Sequence, residues 1–233
     1  MSNDSKTVQS RTDFYTVVHK GLRKRLFEAI ILAGTTDHAD SEQRATLAHT
    51  VGEVVRMLRE HAEHEETFLH PIIAAVLPEV AGSLHAEHEE HHRALDEVER
   101  AFEVAGAETT ATAGHLAYRT LARFAVQFLA HIEEEEAGQP RLWEMVDEAR
   151  LAAGMMAFKR SRTLEQTVAG WATMLPAMSA AEHASMFRAL KGGAPEPVLT
   201  AALQLAEKVL DAHAWDALKS SLEVAGEPSS RAA

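Results

Sequence analysis

From Thr12 to Leu151 apolar residues return every three or four positions, and Gly or Pro interrupts that rhythm at only a few points. This period puts the apolar side chains on one face of an α-helix, so the chain must bury a series of amphipathic helices against one another. The spacing predicts a first helix from about Thr12 to Ala33, closed by Gly34 as the residue after the C-cap. A second begins behind the capping box Asp40-Ser-Glu-Gln43 and runs toward Leu77, with Pro71 kinking or ending it. Pro78 suits the first turn of a third helix, which reaches about Ala105. The fourth carries Leu116, Leu121, Phe124, Phe128 and Ile132 and is expected to stop near Gly138-Gln-Pro140, with a short helix from Arg141 to Leu151 behind it. No strand pattern is present, so the fold class expected is all-α, with four long amphipathic helices over residues 12–153.

The character changes at Gly154. Residues 154–226 hold only two of the 14 histidines, His183 and His213, and read as an α-helical C-terminal appendage. Ser179-Ala-Ala-Glu182 marks a capping box there, and Gly192-Gly193 with Pro195 and Pro197 marks a break. Trp171, Met174, Met186, Phe187 and Trp215 offer more apolar surface than so short a segment readily buries alone, so it is expected to pack on the bundle or form a homodimer. Residues 1–11 and 227–233 are expected to be disordered.

Composition narrows the chemistry. The 233 residues include no Cys, which excludes disulfides, thiolate metal sites and thiol nucleophiles. A net charge of −12 argues against nucleic acid or an anionic membrane as partner. Met1 to Asp13 has no apolar core of a secretory signal, and no run approaches 18 apolar residues, so a cytoplasmic location is expected.

In a chain without Cys, His and carboxylate are the side chains that suit iron, manganese or zinc. Residues four apart on a helix differ by about 40° around the axis, so an i, i+4 pair can aim two ligands at one ion. The second helix offers His61 and Glu65, and the fourth offers His131 and Glu135, with Glu136 one step on. The third offers His88 and His92, with His91 closer to the apolar stripe, and the first offers His19. His88 and His131 fall on the apolar sides of their helices, where unpaired polar groups are costly and a metal ion would satisfy several together. His49, His64, His70 and His115 are expected to be ordinary packed or solvated residues. Counted along one continuous helix, His70 lies about 180° from His61, and His115 about 160° from His131.

These motifs resemble hemerythrin and the wider HHE cation-binding family over residues 12 to about 150. The matching residues are His19, His61 and Glu65 in HAEHEETFLHP, His88 and His92 in EHEEHHRAL, and His131 with Glu135 in HIEEEE. Glu65-Glu66 followed by Phe68, Leu69 and Pro71 is similar to the family's "EE…P" signature. The resemblance implies a four-helix up-down bundle with a metal pair inside it, two non-haem iron ions in preference to manganese or zinc, held by five histidines and two carboxylates. Hemerythrin proper would place the last carboxylate at Glu136, and the HHE branch at Glu135. The family's iron-centre repair proteins replace the second third-helix histidine with one near the end of the first helix, a role His38 would fill; they also carry a Cys-bearing N-terminal domain, whereas these 233 residues include no Cys.

The implied function is carriage, storage or sensing of O2, NO or iron. The alternative is a di-iron oxidase or peroxidase acting on a small substrate or a reactive oxygen species, and nothing in the sequence marks a general base. A sealed pocket lined by Leu58, Phe68, Phe124 and Phe128 would suit the first reading, and a substrate-sized cavity beside the metals the second.

Overall fold

A computed structural model describes residues 11–224, and the two segments expected to be disordered lie outside it except for Arg11. Every regular element among the described residues is helical. The order is α1 (Thr16–Thr35), α2 (Ser41–Phe68), α3 (His70–Ala74), α4 (Pro78–Glu108), α5 (Ala111–Met145), α6 (Glu148–Ser161), α7 (Leu164–Met174), a 3₁₀ turn (Leu175–Ala177), α8 (Ala180–Gly193), α9 (Glu196–Val209) and α10 (Ala212–Val224).

The chain forms two compact units, and they interleave in sequence. One comprises residues 11–16 and 32–160; the other comprises residues 17–31 and 161–224. The boundary therefore runs through α1 as well as past residue 154.

In the first unit α2, α4 and α5 are long antiparallel neighbours in sequence order, each with an apolar stripe. Asp40 opens α2 by accepting from the backbone N–H groups of Glu42 and Gln43. The Gln43 side chain reaches back: its Nε2 donates to the Asp40 carboxylate, while its Oε1 accepts from the backbone N–H of Asp37. Pro71 does end α2: the helix stops at Phe68, and α3 starts afresh with Pro71 in its first turn. Leu69, Ile72, Ile73, Leu77, Leu84, Leu142, Val146 and Leu151 share a buried cluster with Tyr15.

Two predicted helix ends are corrected. Gly34 lies inside α1, which ends at Thr35; at Thr36 the backbone turns extended, and the Thr36 hydroxyl donates to the Leu32 carbonyl at 2.8 Å. At the other, α5 runs through Pro140 to Met145. Proline removes one helical N–H, but tertiary contacts hold the last turns. Leu142 is buried, the Trp143 indole donates to the Thr12 carbonyl at 2.8 Å, and Gln139 accepts from the Phe14 N–H at 3.1 Å. The expected helix from Arg141 to Leu151 is accordingly split between α5 and α6.

The second unit has its own core. Leu175, Phe187, Ala202, Ala206 and Leu218 are buried there, with Trp171, Met178, Met186 and Trp215 packed against them. The capping box at Ser179 and Glu182 forms as the sequence predicts, and a second forms at Thr163 and Gln166. Within this unit α1 packs closely on α7: a Cβ added at Gly21 would lie 2.9 Å from the Thr173 carbonyl oxygen and 3.2 Å from Met174 Cα. Those are backbone atoms that no rotamer change can move. Helix propensity alone says Gly21→Ala should stabilise by about 1 kcal/mol. Overpacking costs about 1–3 kcal/mol, so the expected result is a lower Tm, and a higher one would show that α1 and α7 can separate freely.

Candidate metal centre

Within the first unit four buried side chains from three helices converge. Ligand atoms of Glu65 on α2, His88 on α4, and His131 and Glu135 on α5 all lie within 4.8 Å of one another. His88 Nε2 is 3.1 Å from His131 Nε2 and 3.5 Å from Glu65 Oε2, and His131 Nε2 is 3.5 Å from Glu135 Oε1. Donors bonded to one metal at about 2.1 Å sit about 3.0–3.4 Å apart along the edges of an octahedral or tetrahedral shell. The group already has that spacing.

The far side of each imidazole shows which nitrogen faces inward. His88 Nδ1 lies 3.0 Å from Glu66 Oε1, and His131 Nδ1 lies 2.7 Å from Glu87 Oε2. A carboxylate accepts, so both Nδ1 atoms carry the proton and both Nε2 atoms present lone pairs. Two lone pairs and two carboxylates thus point at one small volume, with at most one shared proton between the imidazoles. A cation is the group that satisfies all four.

On the α2 side His61 Nε2 lies 3.2 Å from Glu65 Oε1, and the ligand atoms of His61, Glu65 and Glu135 are again within 4.8 Å of one another. Glu65 and Glu135 therefore stand in two donor groupings, as carboxylates bridging two ions would. Both i, i+4 pairs of the sequence are realised in this way, because each stays on one face of an unbroken helix. His19 is completely buried on α1.

The electrostatics without metal are strained. Burial and the facing Glu135 carboxyl push the Glu65 pKa well above the usual carboxylate range. Burial, then the charges of Glu87 and Glu136, push Glu135 up to about 8. Burial first, and His131 second, lowers His88 to about 2 and both His70 and His91 to about 4. The Tyr15 phenol is also raised, by burial and by Glu135 and Glu65.

The remaining candidates are placed as follows. Glu136 and His92 are half-buried and outside both groupings. His91 is nearer: its ring centroid is 4.7 Å from that of His131 and 6.0 Å from those of Phe124 and Phe128. His38 is buried against Gly114 at the start of α5, 17 residues or about 25 Å of helix from His131. It does not join the cluster. His49 and His115 are exposed, and His64 packs edge-on to Phe158. His70 departs from expectation. It is 7% exposed, and its ring lies 4.9 Å from that of His88. The angular count from His61 assumed one continuous helix, and the break at Leu69 resets the phase. The motif Leu69-His70-Pro71 was the available signal, since a proline there announces that break.

Two spaces adjoin the centre. A narrow apolar cleft is lined by Leu58, Phe124 and Phe128 together with His61, His88 and His131. Phe68, expected to share that lining, packs instead against Phe158 with ring centroids 5.8 Å apart. A larger cavity of about 290 Å³ reaches Glu135 and Glu87 from the other side, between Tyr15, Leu77, Leu84, Gln139 and Leu142. No described helix is long and apolar enough to cross a membrane.

Among known proteins, the family model described as Hemerythrin HHE cation binding domain matches residues 11–138. No curated protein and no solved structure matches the chain.

Proposed function

The chain belongs to the hemerythrin HHE cation-binding domain family, and from that premise we propose that it is a non-haem di-iron protein that binds O2 or NO at the buried His/Glu centre. The observation that carries this reading is the convergence of two imidazole lone pairs and two carboxylates, with both imidazole protons held outward by Glu66 and Glu87. His88 and His131 would hold one ion and His61 the other, with Glu65 and Glu135 bridging. His19 enters as the first-helix ligand of the family pattern, on its residue type and its place in the sequence. For the further third-helix ligand the ring positions favour His91 over His92.

When bound, reduced iron would supply electrons and an open coordination position for a diatomic ligand. The protein's own part is to fix the donors and keep them dry. Leu58, Phe124 and Phe128 exclude water from the narrow cleft, and neutral imidazoles limit the negative charge around the centre. Both features favour reversible binding, which serves carriage or sensing.

The cavity beside Glu135 favours a second reading, an oxidase or peroxidase, because about 290 Å³ exceeds what a diatomic ligand needs. The test is metal analysis with optical spectra of the anaerobically reduced protein, taken before air, after air and after renewed removal of O2. Two irons per chain and a reversible change are expected for a carrier or sensor. Irreversible oxidation with turnover of added peroxide or small organic reductants would assign the enzyme. A protein that takes up no iron would refute both.

A further inference from the structure

Glu66 and Glu87 occupy related places around the centre. Glu66 follows the donor Glu65 on α2 and reaches across to His88 on α4. Glu87 precedes His88 on α4 and reaches across to His131 on α5. Each carboxylate therefore grips the imidazole of the next helix from behind. Neither is deeply buried: the side chains are 33% and 28% exposed, so each keeps much of its hydration. The imidazoles they hold are 2% and 3% exposed.

We propose that Glu66 and Glu87 are outer carboxylates that set the affinity and reduction potential of the metal centre through His88 and His131. The inference rests on the reading of the four-donor group as a metal site. Two effects act together. Accepting the Nδ1 proton fixes the ring orientation with Nε2 inward, and it raises the electron density at Nε2, which makes the imidazole a better donor. The charge itself, one imidazole away from the ion, stabilises the higher oxidation state over the lower. Both carboxylates act on the same side of the centre, on the two histidines whose Nε2 atoms are 3.1 Å apart. Glu87 also lines the larger cavity, so a molecule entering there meets the carboxylate that steadies His131.

A purely structural alternative is that these glutamates only tie α2 to α4 and α4 to α5. Glu66→Gln, Glu87→Gln and the double variant separate the two roles, because glutamine keeps the chain length and an accepting carbonyl oxygen but loses the charge. Fe(II) is loaded anaerobically into the full chain in competition with a chromogenic chelator, and the midpoint potential of the loaded protein is measured by spectroelectrochemistry. Each substitution is expected to weaken iron binding about 10–100-fold and to raise the midpoint potential, with the double variant shifted further. In the metal-free wild type, long-range 1H–15N spectra should show His88 and His131 protonated at Nδ1. Gln variants that bind iron as tightly as the wild type at an unchanged potential would overturn the inference while leaving the metal centre intact. A wild type that binds no iron would instead overturn the metal-centre reading, and this inference with it.

Discussion

Glu65→Gln is expected to strip bound metal from the protein while making the metal-free chain more stable. Glu65 stands in both donor groupings, 3.2 Å from His61 Nε2 and 3.5 Å from His88 Nε2. On the di-iron reading proposed above, its removal would cost both ions a ligand. Changing a partner outside the coordination shell already weakens metal binding about 10–100-fold, so losing a shared donor should exceed the upper end of that range. The stability effect has the opposite sign. Burial and Glu135 raise the Glu65 pKa in the folded chain, so between its ordinary value and the raised one the unfolded chain ionises while the folded chain holds its proton. Folding stability falls across that window as pH rises. A neutral amide removes the penalty. Metal content and the Tm of chelator-treated protein, measured at pH 7–8, check the two halves. Full metal occupancy in the variant would remove Glu65 from the ligand set, and a lower metal-free Tm would show that its carboxyl stabilises the apo fold.

Metal uptake at neutral pH should release protons, and affinity should climb with pH until about 8. Glu135 holds its proton up to about 8, and Glu65 is raised as well, whereas His88 at about 2 has none to lose. An entering cation therefore displaces carboxyl protons and no imidazolium proton at His88. About one to two protons per loaded centre are expected at pH 7, fading as Glu135 ionises on its own. Calorimetry in buffers of different ionisation enthalpy measures the number directly. No net release at pH 7 would mean that both carboxylates are already ionised in the apo protein.

The same groups shape the acid limb of apo stability. His70 and His91 stay neutral in the fold down to about 4, and His88 to about 2, while in the unfolded chain they take up protons below about 6.5. Stability is thus lost as pH falls from about 6.5, progressively as each histidine is forced to charge.

How much of this was legible in the sequence depends on how local each feature is. The pairs His61/Glu65 and His131/Glu135 needed only the helical period, and both survive because α2 and α5 are continuous where the pairs lie. Between Glu135 and Glu136 the sequence offered only the family resemblance and the likeness to the His61/Glu65 spacing; in the structure one residue turns the side chain by about 100°, and Glu135 is the one on the buried face. The caps at Asp40 and Ser179 are likewise short-range.

What required the tertiary structure is whatever depends on the phase between helices. His70 joined the histidine cluster because Pro71 broke the helix on which its angle had been counted. Pro140 failed to end α5 because Leu142 shares a buried cluster with residues as distant in sequence as Leu69 and Tyr15, and Trp143 donates to Thr12. Glu66 and Glu87 look in sequence like members of solvated acidic runs, and only the register of α2, α4 and α5 turns them toward His88 and His131. The period of a helix is written in its own residues, so the sequence alone determined an all-α chain with paired His and Glu donors. The rotation and offset of one helix against another follow from side-chain packing across the core, and that packing decided which donors meet and which carboxylates stand behind them.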